Sequence, residues 1–186
     1  MPTDARALHR SAIIIDAHND SIGRRLDRGL PADLAVPVPE FHVDLPRLRE
    51  GGVTAMFTYC GSTDLVRSLQ LIDAIHAMVA AHPDELCLAL SSGDVNRAKA
   101  SGRVGLIPQL ESLTCCMGSV EVLRDLYRLG VRVGNLTHGE APEHGTQKKP
   151  SIFDYVDASD RETFRRPYWG LTDFGRAAIR EMNALG

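Results

Sequence analysis

Short apolar, β-branched runs alternate along this chain with stretches of helical periodicity, and the runs end in polar residues. "AIIID" at 12–16, "GVTAMFTYC" at 52–60, "ELCLALS" at 85–91, "RVGLIPQLE" at 103–111 and "GVRVGNLTH" at 130–138 read as strands buried on both faces. Between them, "TDLVRSLQLIDAIHAMVAAHP" puts Leu65, Leu69, Ile72, Ile75 and Val79 on one stripe, with Thr63 as its cap and Pro83 as its stop. "SVEVLRDLYRLG" turns Leu123, Leu126 and Tyr127 inward and ends at Gly130, a C-terminal cap residue. "LTDFGRAAIREMNALG" repeats the scheme, with Thr172 as cap and Ile179, Met182 and Leu185 facing in. Strands and helices in this rhythm make βαβ units on a parallel sheet, and right-handed crossovers leave two arrangements, a doubly wound sheet or a (β/α) barrel. Residues 139–170 break the rhythm with a polar stretch containing Pro and Gly, too long for an ordinary βα connection. Long loops after strand ends are where α/β proteins place their sites.

The 186 residues show no internal repeat, low-complexity tract or change of composition, so the expected organisation is a single domain over 1–186. A net charge of -3 and the lack of a long basic run argue against a nucleic-acid partner. The opening "MPTDARALHR" lacks the apolar core of a signal peptide, and no apolar stretch is long enough for a bilayer. A cytoplasmic protein without a membrane partner is the expectation. Cys60, Cys87, Cys115 and Cys116 have neither CxxC spacing nor the density of a disulfide scaffold, which points to packed or free thiols. The vicinal pair Cys115 and Cys116 also admits a redox role, against burial as the commoner fate of a free cysteine.

Three run ends carry chemistry. In "AIIIDAHND", His18 and Asp20 follow an apolar strand, and residues i and i+2 of a strand share a face, so an imidazole and a carboxylate point the same way. That pair suits a divalent, zinc-like ion. The competing reading makes Asp16 and Asp20 turn caps and gives His18 a carbonyl partner. "FHVDLP" repeats the spacing at His42 and Asp44 with no strand feeding it, so the strand end carries the signal rather than the spacing. Glu111 closes "GLIPQLE" where barrels and doubly wound folds present catalytic groups. A helix-entry glutamate favoured by the helix dipole reads equally well there. His138 closes the last run in the same way. Glu140, Glu143 and His144 form either a separate metal cluster or a solvated acidic loop. His9, His76 and His82 read as surface or helix-flanking residues. No phosphate-binding glycine loop, GxSxG nucleophile elbow or HExxH zinc helix is present.

Taken together, "DAHND", "HVDLPRLREGGV", the glutamate ending "GLIPQLE", "LYRLGVRVGNLTH" and "GLTDFGRAAIREMNALG" resemble the membrane dipeptidase (renal dipeptidase) family of zinc peptidases. The motifs stand in the family's order and match the N-terminal half of a typical member. The resemblance implies a partial (β/α)8 TIM barrel of the metal-dependent hydrolase type, comprising roughly the first four βα units. It implies two zinc ions in a complete member, with His18 and Asp20 as ligands of the first and Glu111 bridging both. His138 would contact a dipeptide substrate and steady the oxyanion of the tetrahedral intermediate, and a metal-bridged hydroxide would attack the peptide carbonyl. The family pattern makes His42 and Asp44 structural. Ala17 and Ser112 stand where many members have glycine, and "HGEAPEHG" departs from the family's usual loop. The remaining family functions, two histidines, an aspartate and an arginine, fall beyond Gly186 in that pattern.

A TIM barrel needs eight strands and about 250 residues, so a half barrel would expose two sheet edges and an apolar inner face. Self-association or a homo-oligomer is therefore expected, with hydrolysis by this stretch alone absent or very weak. A non-catalytic half-barrel or interaction protein, and a related hydrolase of lactams, esters or other amides, are the alternatives to a metallodipeptidase.

Overall fold

A computed structural model describes residues 4–61, 63–136 and 173–186. The chain begins with α1 (Ala5–Ser11), β1 (Ile15–Asn19), α2 (Ser21–Asp27), α3 (Leu45–Glu50), β2 (Ala55–Tyr59) and α4 (Leu65–Ala81). It continues with β3 (Leu86–Leu88), α5 (Ser92–Ser101), β4 (Val104–Leu110), a 3-10 turn at Leu113–Cys116, α6 (Val120–Arg128), β5 (Val133–Gly134) and α7 (Asp173–Leu185). All strand pairs are parallel, in the order β1-β2-β4. The alternation of strand and helix thus yields the parallel sheet that the apolar runs predict.

The chain order of the strands is not their order in the sheet. β3 pairs with the start of β4 (Leu86 to Val104, Leu88 to Leu106) and β5 with its end (Gln109 to Val133, Leu110 to Gly134). Two short strands thus share the edge of β4 that lies opposite β2. Arg132 ties them together, donating from Nε to Leu90 O and from Nη1 to Tyr127 O. Pro108, which has no N–H to give a ladder, lies in β4 between the two paired stretches, where a missing donor is tolerated.

Every residue of β4 is buried. One face, through Val104, Leu106 and Leu110, packs with Met56 against Leu71, Ile72 and Ile75 of α4, Leu123 and Leu126 of α6 and Ala178 of α7. The other, through Ile107, packs with Ala55, Ala89 and Val95 of α5, and with Phe57 and Val133. Gly105 lets the chain just past β3 approach closely: a Cβ there would stand 2.9 Å from Ala89 Cβ, and 3.7 Å from Ala98 Cβ of α5. β1 differs from its expected burial, because only β2 pairs with it among the described residues; Ile13 and Ile15 are exposed.

The stripe of α4 is also rotated from its expected position. The buried residues are Ser68, Leu71, Ile72, Ile75 and Met78, whereas Leu69 is exposed, and the cap is Asp64, which accepts from Arg67 N at 2.7 Å, in place of Thr63. Ser68 lies on the inner face because Gly61 presses on it: a Cβ at Gly61 would fall 1.9 Å from Ser68 Oγ. A polar residue at a packing position hid the true stripe. On α7, Met182 packs against the core and Ile179 and Leu185 are half-buried. Bidentate bonds from Arg124 to Glu181 (2.7 and 2.8 Å) and one from Tyr127 OH to Leu185 O (3.0 Å) dock it on α6. Thr172 lies outside the described residues. Gly130 follows α6 at φ 107, a left-handed backbone that glycine adopts without strain.

The segment between α2 and α3 is organised by Arg25, a fully buried arginine that the periodicity does not single out. Its guanidinium donates to Asp33 O at 2.9 Å, Val36 O at 2.8 Å and Val43 O at 2.9 Å, and lies 5.5 Å from the centre of the Phe41 ring. Burial lowers its pKa, while the carboxylates of Asp44 and Asp33 act in the opposite direction.

Arg25→Met is expected to leave those carbonyls without their donor and to cost about 3 kcal/mol or more, since hydrogen bonds to charged groups contribute roughly 1.5–3 kcal/mol each. Thermal unfolding checks this, at about 2–4 °C per kcal/mol for a domain of this size; an unshifted transition would contradict it. None of the four cysteines is in a disulfide, and Cys60, Cys115 and Cys116 are fully buried; burial pushes the Cys60 thiol pKa up, and the hydrogen bond with Cys115, with burial, pushes up that of Cys116. Thiol titration of the folded chain should label Cys87 slowly and the other three only after unfolding, and rapid labelling of Cys115 or Cys116 would restore the redox reading.

Candidate metal centre

The end of β1 is built around an irregularity. Asp16 pairs with Met56 and Asn19 with Thr58, so three steps along β1 face two along β2. The extra residue is a bulge at Ala17 and His18, a device that re-aims side chains at sheet ends. Asp16 and Asn19 fall on one face and bond to each other, Asn19 Nδ2 donating to Asp16 Oδ2 at 2.9 Å. Asp16 Oδ1 also accepts from His18 N at 3.2 Å. Asp20 lies just past the strand as the N-cap residue of α2, makes no side-chain cap bond, and receives Arg24 Nε at 3.4 Å. Simple alternation along one strand is therefore not what brings His18 and Asp20 together; the bulge and the turn into α2 do.

Glu111 follows β4, and its backbone is held by its N–H donating to Gly61 O at 2.9 Å, one step beyond the bond from Cys60 N to Gln109 O at 2.8 Å. Gly61, at φ 127 and against Ser68, fits no side chain. The end of β2 thus fixes where the end of β4 presents its carboxylate. Ser112 then caps the 3-10 turn, accepting from Thr114 N at 3.1 Å.

These elements bring together three of the residues singled out in the sequence. His18 Nε2 lies 3.2 Å from Asp20 Oδ1 and 3.2 Å from Glu111 Oε1, and one ligand atom from each residue lies within 4.8 Å of the others. The side chains are 38%, 31% and 15% exposed, in the order His18, Asp20, Glu111, so the cluster opens to one side while Glu111 is largely enclosed. The donor set fits a divalent ion: bonds of about 2.0–2.1 Å in tetrahedral geometry place neighbouring ligand atoms about 3.3 Å apart. One imidazole and two carboxylates would leave room for a further ligand on a four-coordinate ion. The other ring nitrogen, His18 Nδ1, lies 3.1 Å from Gln109 Oε1.

The remaining histidines behave differently. Asp44 caps α3, accepting from Arg47 N at 2.9 Å, and His42 is exposed, so this second His-x-Asp pair is structural. His9 and His76 bond to Gly51 O and Leu129 O, each at 2.8 Å, and His82 pairs with Asp33 Oδ2 at 2.8 Å; they tie neighbouring elements together. His138, Glu140, Glu143 and His144 lie outside the described residues. Sequence reasoning missed Gln109 and Gly61. The signal for Gln109 was its spacing, two residues before Glu111 and on the same strand face; nothing in the sequence pointed to Gly61, whose role depends on a contact with a distant helix.

Residues 3–186 match the profile of the family described as membrane dipeptidase (peptidase family M19). Dipeptidase aclJ of Aspergillus oryzae is 34% identical over 159 residues, which cover 77% of this chain and 35% of that protein. Human dipeptidase 3 is 32% identical over 193 residues, 98% of this chain and 37% of that protein. A metallo peptidase from Rhodobacter sphaeroides, solved with a phosphinate mimic of the dipeptide L-Ala-D-Ala, aligns with a TM-score of 0.70 at 18% identity, covering 93% of this chain and 56% of that one. The probable dipeptidase PvdM from Pseudomonas aeruginosa aligns at 0.74 and 16% identity, covering 97% and 46%. This chain therefore spans little more than a third of these curated relatives and about half of these structures. The chain belongs to the membrane dipeptidase family, peptidase family M19.

Proposed function

We propose that this chain carries the first-metal half of a zinc dipeptidase site, with His18, Asp20 and Glu111 as the ligands. The observation that carries the reading is the convergence of His18 Nε2, Asp20 Oδ1 and Glu111 Oε1, from two strand ends, within one ion's reach. Family membership supports it, and so does the dipeptide mimic bound to the Rhodobacter sphaeroides relative. Zinc held there would supply a water acidic enough to ionise near neutral pH and would polarise a peptide carbonyl.

The chain's own residues take the following parts. His18 and Asp20 hold the ion from the open side. Glu111, with two carboxylate oxygens and the greatest enclosure of the three, is the member suited to contact a second ion as well. His138, four residues after β5, is the proposed contact to substrate and to the oxyanion. A dipeptide is the proposed substrate. The proposed location is the cytoplasm, where cysteines outside disulfides are at home; no described helix is long and apolar enough to cross a membrane. Self-association is proposed as well, since among the described residues the outer edges of β1 and β5 have no strand partner.

Purified residues 1–186 should take up zinc at one site, and the double variant His18→Ala, Asp20→Ala should lose it while keeping its fold. Equal zinc content in the two proteins would remove the metal reading. Because only three donors converge among the described residues, dipeptide hydrolysis by this chain alone should be absent or very weak. Robust turnover abolished by a chelator would show instead that self-association completes the site. Sedimentation velocity should show the apparent mass rising with concentration, whereas a monomer at every concentration would refute the open-edge argument.

A further inference from the structure

We propose that Gln109 is a positioning residue for this centre, fixing which nitrogen of His18 is offered to the ion; the inference rests on the metal reading above. A neutral imidazole carries one proton and can hold it on either nitrogen, so a ligand histidine needs a partner to settle the choice. His18 has special need of one. It sits on the bulge of β1 outside the regular strand pairing, and its side chain is 38% exposed, so packing alone does not hold the ring.

Gln109 Oε1 lies 3.1 Å from His18 Nδ1. A carbonyl oxygen only accepts, so Nδ1 donates, and Nε2 is left facing Asp20 Oδ1 and Glu111 Oε1. Gln109 is itself firmly placed. It is 6% exposed, its backbone oxygen accepts from Cys60 N, and it pairs with Tyr59 on one side and Val133 on the other. β4 thus presents both a ligand, Glu111, and two residues earlier the group that aims the neighbouring ligand. The amide does this without adding charge to a cluster that already holds two carboxylates.

The test measures zinc affinity by competition with a chromophoric chelator, together with long-range 15N–1H spectra of the zinc-loaded chain. The unsubstituted protein should show zinc on Nε2 and a slowly exchanging proton on Nδ1. Gln109→Leu should lose that proton signal and weaken zinc binding by about 10–100-fold, the usual effect of removing a ligand's outer partner. Gln109→Asn, still an amide but one methylene too short to reach Nδ1, should behave like Gln109→Leu, whereas Gln109→Glu should keep both signal and affinity. Circular dichroism establishes that each variant is folded. Unchanged affinity and unchanged spectra in the Leu and Asn variants would overturn the positioning role and leave the zinc site standing. Loss of affinity in the Glu variant as well would trace the effect to damage of β4 and also overturn it. An unsubstituted chain that takes up no zinc would overturn both readings.

Discussion

The burial of β4 on both faces and its pairing along both edges is the constraint on which the rest depends. A strand so enclosed cannot slide, since a shift of one residue would exchange its two faces and set Gln109 and Glu111 into the helical layer. Its C-terminal end is consequently a fixed reference. The bonds from Cys60 N to Gln109 O and from Glu111 N to Gly61 O carry that reference across to β2, and β2 carries it on to β1. Glu111, just past β4, and His18, in β1, are separated by the whole width of β2, yet meet at hydrogen-bond distance.

The parts of this architecture that depend on local pattern were legible in the sequence. Apolar runs ending in His, Asp and Glu located the strand ends that converge because burial and strand length are written in composition and spacing. The contrast between His18 with Asp20 and His42 with Asp44 was readable for the same reason: only the first pair follows an apolar strand. The parts that depend on contacts between distant residues were not. The exchange of β3 and β5 along β4 follows from strand lengths of three and two residues that no propensity encodes. The rotated face of α4 follows from Gly61 meeting Ser68. The bulge in β1 follows from how "DAHN" must pair against "MFT", and strict alternation paired His18 with Asp20, which do meet, by an argument the backbone does not use.

Arg25 illustrates a different kind of silence. In the sequence it is one of two adjacent arginines on a short helix. In the fold its charge replaces secondary structure for the segment that follows, since three backbone carbonyls separated along the chain all turn to one guanidinium. Lysine could not reproduce this, because a planar fork of donors reaches several acceptors at fixed angles while an ammonium offers a single point of charge.

The bulge in β1 also sets the electrical balance of the cluster. In a regular strand, Asp16, His18 and Asp20 would share a face, and Asp16 would join Asp20 and Glu111 around the imidazole. The formal charge there would be about minus three, an excess that a single divalent ion would leave uncompensated. The inserted residue sends Asp16 to the opposite face, where it bonds to Asn19 and to the backbone of His18. What remains around the imidazole is two carboxylates, Asp20 and Glu111. A single additional backbone residue thereby sets how many carboxylates face His18.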